Sequence, residues 1–96
     1  MKIEYSIPHR GVENEPYPDK VPGFFNMSIE SVPDYKLSEF AEHAAEDYFW
    51  NHDGWEDKSW PIALIIHLID DKGNKSDYKF SVEMESYPLF TAGKVN

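Results

Sequence analysis

Leu37, Phe40, Ala41, Ala44, Ala45 and Tyr48 recur at the three-and-four spacing that a helix gathers into one apolar stripe, and this stripe constrains the fold most. Such a stripe has to be buried against another layer. The helix is predicted from about Leu37 to Asn51, with Ser38 or Asp34 as N-cap residues. Asn51, His52, Asp53 and Gly54 suit its exit, Gly54 being the best residue for a left-handed turn. Its opposite side carries Glu39, Glu42, His43, Glu46 and Asp47 with no lysine or arginine among them.

The partner layer is legible on both sides of the helix. Ile3, Tyr5 and Ile7 alternate with Lys2, Glu4 and Ser6, a half-buried strand that Pro8 ends. Residues 8–23 hold four of the seven prolines and read as one long proline-rich loop, with His9 and Arg10 solvated at its start. Phe25, Met27 and Ile29 alternate next, predicting a second strand over Phe24 to Val32 that pairs with the first across the loop. Pro61 to Asp70, PIALIIHLID, is the most apolar run and reads as a central strand buried on both faces, with His67 satisfied by a backbone carbonyl. Asp71 to Asn74 form a turn, and Tyr78, Phe80, Val82 and Met84 complete a hairpin, after which PLFTAGKVN reads as a short edge segment or a tail. The expected fold is α+β: one compact domain over 1–96, in the order β-β-α-β-β, with a mostly antiparallel sheet of three to four strands and one helix on one face.

Charge narrows the function classes. Eighteen acids against nine bases give a net charge of -9, which argues against direct binding to nucleic acid or to anionic membranes and favours a basic partner. Keeping the chain in solution is the plainer account of that charge. With no cysteine there are no disulfides or thiolate metal sites, and a cytoplasmic location is the default. No segment approaches the roughly twenty apolar residues that span a bilayer.

The acidity is local. Between Asp34 and Asp57 lie eight acids, Asp34, Glu39, Glu42, Glu46, Asp47, Asp53, Glu56 and Asp57, against Lys36 alone, leaving ten acids to eight bases elsewhere. Acids three or four apart on a helix stand about 5–6 Å from one another, comparable with the charge spacing along a nucleic-acid strand. Trp50, Trp55 and Trp60 follow at intervals of five, which matches no single face, and they are expected to converge as a plug over one end of the sheet. A tryptophan left exposed there would be an anchor of the kind enriched at protein interfaces.

Chemistry-bearing patterns are weaker. His43 and Asp47 stand one helical turn apart, with His52 and Asp53 at the exit, but nothing in the sequence brings the two pairs together as metal ligands. Glu46, His52, Asp53 and His67 are the acid–base candidates, and none belongs to a motif. The serines have no neighbouring His or Asp pattern, and there is no glycine-rich phosphate loop. The reading therefore assigns no catalytic residue, no metal and no cofactor.

The run from Ala41 to Phe90 joins Ala44 and Ala45 of the acidic helix, the turn Asp53-Gly54-Trp55-Glu56, and Trp60-Pro61 entering an apolar strand. Asp71 and Gly73, then Val82 and Glu85, then Pro88 and Phe90 follow. This pattern resembles small uncharacterised bacterial and phage-borne proteins. The resemblance implies a shared helix-plus-hairpin unit and carries no activity with it. Size, charge and absence of motif are similar, at the level of class, to the nucleic-acid mimics used in counter-defence, including anti-CRISPR proteins.

These readings converge on a small acidic non-catalytic binding protein that inhibits by occupying a basic groove of a nucleic-acid-handling partner. Its contacting residues are expected to be Glu39, Glu42, Glu46, Asp47, Asp53, Trp55, Glu56 and Asp57. The alternative is an adaptor or immunity-type interaction domain using the tryptophan cluster and a sheet edge, and a small metal-dependent enzyme ranks below both.

Overall fold

The computed structural model describes residues 1–18, 28–86 and 88–95. Strand β1 (Lys2–Ile7) leads through a 3-10 turn, Pro8–Arg10, into β2 (Val12–Pro16). Helix α1 (Asp34–Asn51), a second 3-10 turn at Gly54–Glu56, and strands β3 (Ile62–Ile69), β4 (Lys75–Ser86) and β5 (Leu89–Lys94) follow. The strands form one antiparallel sheet in the order β2-β1-β3-β4-β5, so β3 is central and β1 joins it across the whole helical segment. The α+β class and the helix-on-sheet arrangement match expectation, but the sheet has five strands, not three to four.

The extra strand lies within the predicted loop 8–23. VENEP has no apolar alternation, and it becomes a strand because β1 offers it an unpaired edge, with Tyr5 opposite Glu15 and Ile7 opposite Val12. Residues 24–27 of the strand expected over Phe24 to Val32 lie outside the described residues. Its remainder is not extended: Ile29–Ser31 form a 3-10 turn that buries Ile29, and Val32 is buried beside it.

Helix α1 begins a turn earlier than predicted. Neither Ser38 nor Asp34 caps it; Pro33 occupies the cap position with extended backbone and supplies no side-chain hydrogen bond. Its buried residues are the six of the predicted stripe plus Phe49. They pack on Ile3, Tyr5 and Ile7 of β1, Ile62, Leu64, Ile66 and Leu68 of β3, Phe80 and Val82 of β4, and Phe90 of β5. Strand β3 is therefore fully buried on its helix side only, while on its other side Ala63 is exposed and Ile65 and Ile69 are half-buried.

At the helix exit the left-handed residue is Asp53, with φ 59°, not Gly54. Gly54 is needed for a different reason: a Cβ there would meet the Phe49 Cα and the Tyr48 carbonyl oxygen, each at 2.7 Å. The β3–β4 turn is fixed by Asp70, whose carboxylate accepts the N–H groups of Lys72 and Asn74, both at 2.9 Å, and the Asn74 side chain at 3.0 Å. Those donors, Asn74 first, hold the Asp70 carboxyl below its ordinary pKa.

Candidate functional site

His43, Glu46, Asp47, Trp50 and Asn51 fall at intervals of three and four, so they share one face of α1 beside the buried stripe. With Pro18 they line a cleft of about 250 Å³. Its far wall is built by the segment that leaves β2: Tyr17 packs edge-on against Phe40 and stacks on His43, with its hydroxyl 2.9 Å from His43 Nδ1. Trp50 sits edge-on to buried Phe49 and leaves 54% of its surface in solvent. An exposed indole beside two carboxylates in a concave site suits a cationic side chain, which gains Coulomb attraction from the acids and cation–π attraction from the ring.

Asp47 is held in place by the fold. Its carboxylate accepts the Tyr5 hydroxyl at 2.5 Å and the Asn51 side chain at 2.7 Å, and His52 Nε2 lies 3.5 Å away. Burial, followed by the bond to Asp47, pushes the Tyr5 phenol far above its ordinary pKa, so it remains a neutral donor. Asp47 thus presents a fixed negative charge at the cleft floor.

The other predicted contact residues separate into two groups. Glu46, Asp53, Trp55 and Glu56 are exposed, with Trp55 and Glu56 on the 3-10 turn after the helix. Glu39 is half-buried and pairs with Lys36 at 3.1 Å. Glu42 turns toward the sheet and accepts the Ala92 N–H of β5 at 3.1 Å. Asp57 faces inward: it pairs with Arg10, accepts the Tyr48 hydroxyl at 2.8 Å and receives the Ser59 N–H at 2.8 Å. Arg10 is therefore an anchor and not a solvated loop residue. Burial alone would raise the Asp57 carboxyl, but Arg10, Ser59 and Tyr48 together outweigh it and hold it below the ordinary value. The bond to Asp57 in turn raises Arg10.

The tryptophans do not converge. Trp60 packs on Tyr48 and Phe90, with ring centroids at 6.3 and 5.1 Å, and donates its indole N–H to the Asp57 carbonyl. Trp50 and Trp55 stay at the surface. Sequence reasoning missed Trp50 as a member of the site because the three tryptophans were read as one series, and it set His43 beside Asp47 only as a metal-ligand pair. The 43-46-47-50-51 spacing was the available signal.

Of the suggested metal ligands only His52 and Asp47 come together. His43 bonds Tyr17, His52 sits 3.6 Å from Glu15 and 3.5 Å from Asp47, and Asp53 is exposed at the helix exit. Among the described residues no group of three or more His, Cys, Asp or Glu is arranged to hold a metal ion. Nor is any helix among them long and apolar enough to cross a membrane. His67 is satisfied by side chains, not by a carbonyl: Ser6 Oγ lies 2.8 Å from its Nε2 and Asp77 Oδ1 lies 2.6 Å from its Nδ1. Sequence gave no sign of that trio, which strand register alone assembles. Comparison with protein-family models, with curated proteins and with solved structures returned no match to this chain.

Proposed function

We propose that this protein is a small acidic binding protein whose helix-face cleft receives a basic side chain from a nucleic-acid-handling partner and so competes with nucleic acid for that partner. The observation that carries the reading is the half-exposed Trp50 ring standing beside Glu46 and the anchored Asp47 in one cleft. Glu56 and Asp53 extend the negative charge past the helix end, and Trp55, 49% exposed, adds a second apolar contact. Tryptophan is an anchor of the kind enriched at interface centres, and the acids around it suit the polar rim that meets a basic partner. A counter-defence role, of the anti-CRISPR kind, is the biological form of this activity that the resemblance suggests.

The adaptor alternative draws less support. Trp60 is committed to the core, and the β5 edge has its Ala92 N–H occupied by Glu42.

The test is capture of a basic nucleic-acid-binding protein on the immobilised chain, followed by elution with duplex DNA and with a salt gradient. The bound protein should leave with either. Reversing Glu46, Asp53 and Glu56 to lysine should remove capture, whereas reversing Glu13, Glu83 and Glu85, also exposed, should not. Glu42 is left out of the first triple because its bond to Ala92 supports the fold. Equal losses from the two triples would reduce the effect to net charge and defeat the assignment.

A further inference from the structure

On the sheet face turned away from α1, register sets two rows of side chains across β1, β3 and β4: Glu4, His67 and Asp77 in one, Ser6, Ile65 and Lys79 in the next. Ser6 and His67 meet between the rows. In the tautomer that places the ring proton on Nδ1, His67 donates to the Asp77 carboxylate and Nε2 is left as an acceptor. In that tautomer the Ser6 hydroxyl, 2.8 Å away, donates to Nε2.

A local irregularity is compatible with that direction and fixes the Ser6 oxygen in place. Pairing between β1 and β2 slips after Tyr5, leaving Glu13 and Asn14 opposite Ser6; Asn14 takes φ 51° and its N–H donates to Ser6 Oγ at 3.0 Å. That bond occupies one lone pair of the oxygen and leaves its hydrogen free to point to His67. Ser6 and His67 are only 8% and 5% exposed, so their bonds are made largely out of bulk solvent and water reaches Ser6 in small number. Pro8, His9, Ala63, Ile65, Lys79 and Val95 line a cavity of about 180 Å³ that reaches the cross-strand partner of Ser6, Ile65, while Ser6 and His67 themselves stand outside its lining.

We propose that Ser6 is an acyl-transfer nucleophile, with His67 as its general base and Asp77 as the group that orients the imidazole, acting on short-chain acyl esters whose acyl part enters this cavity. The arrangement has the hydrogen-bond order that nucleophilic serine chemistry requires. Ser6 Oγ bonds to the ester carbonyl carbon while its proton passes to Nε2. The carbon–oxygen bond to the alcohol then breaks, and the alcohol departs with that proton. Water attacks the acyl-serine, gives a proton to the same nitrogen and releases the carboxylic acid as Ser6 is reprotonated. Lys79 supplies the positive charge on the cavity wall for the oxygen that becomes negative. This site lies across the sheet from the helix cleft and is independent of it.

The experiment treats the full chain with a fluorophosphonate probe and, separately, with p-nitrophenyl acetate, and maps the modified peptide by mass spectrometry. One adduct on Ser6 is expected in the folded chain and none after heat denaturation. Ser6→Ala should abolish it, and His67→Gln and Asp77→Asn should slow its formation by at least ~100-fold. No adduct on the folded wild-type chain, an adduct elsewhere, or equal rates in wild type and Asp77→Asn would overturn the proposal. The wild-type result decides by itself, so a variant that fails to fold does not shield it.

Discussion

The guanidinium of Arg10 and the carboxylate of Asp57, 47 residues apart in the chain, form an ion pair that ties the turn after β1 to the segment after α1. Asp57→Ala would strand Arg10 and the Tyr48 hydroxyl together and should lower the unfolding free energy by about 2–3 kcal/mol in urea titrations. Because the folded carboxyl lies below its ordinary 3.8, the stability it contributes is complete above that value and is lost as pH falls through the lower folded value. The difference between wild type and Asp57→Asn should therefore shrink on acidification below about pH 4.

Tyr48 gives the opposite limit. Burial, then its bond to Asp57, raises the phenol from 10.0 to about 12. Its contribution is full below 10.0 and lost as pH rises toward the folded value, so alkaline unfolding should accompany tyrosinate formation in that window. Tyr48→Phe should reduce the alkaline dependence and cost about 1 kcal/mol at neutral pH, read by absorbance and circular dichroism together.

Gly54 and Asp53 are adjacent and should respond in opposite directions. Gly54→Ala places a methyl group 2.7 Å from backbone atoms of Tyr48 and Phe49, which cannot yield as a flexible side chain would, and should cost about 2–3 kcal/mol. Asp53→Gly relieves a left-handed backbone at an exposed site and should be neutral or stabilising by up to ~1 kcal/mol. Thermal melts of the two variants check both signs.

Single tryptophan replacements should divide core from surface. Trp60→Ala removes the ring that packs on Tyr48 and Phe90 and should cost about 3 kcal/mol or more. Trp50→Ala and Trp55→Ala should change stability by less than about 1 kcal/mol while weakening partner capture. Loss of fold in Trp55→Ala would remove it from the binding surface.

Periodicity was legible where it ran through a whole element, and it misled at Ile29, whose alternation with Phe25 and Met27 continues into a 3-10 turn. The stripe from Leu37 to Tyr48 and the alternation from Tyr78 to Met84 name their own partners, since each repeats at the period of one element. Strand β2 was not legible, because VENEP owes its extended form to pairing with β1 and not to its own residues. The acidic run was visible as composition, yet Asp57 and Glu42 leave that surface for partners 47 and 50 residues away. Ser6, His67 and Asp77 are likewise joined only by register, which no spacing in the chain announces.

Glu42 also decides how the molecule meets others of its kind. An outer strand with unclaimed N–H groups is a template for further strands, and a sheet of five would otherwise offer one at each side. At β5 the Ala92 N–H is spent on Glu42 and Lys94 reaches back to Asp34, so the helix occupies the approach. At β2 the strand is five residues long, kinked at Asn14, and ends in Pro16, which has no N–H to give. Two of the acids that charge the helix, Glu42 and Asp34, thus also close the β5 edge, and replacing Glu42 would both loosen the helix from the sheet and uncover an N–H for a further strand.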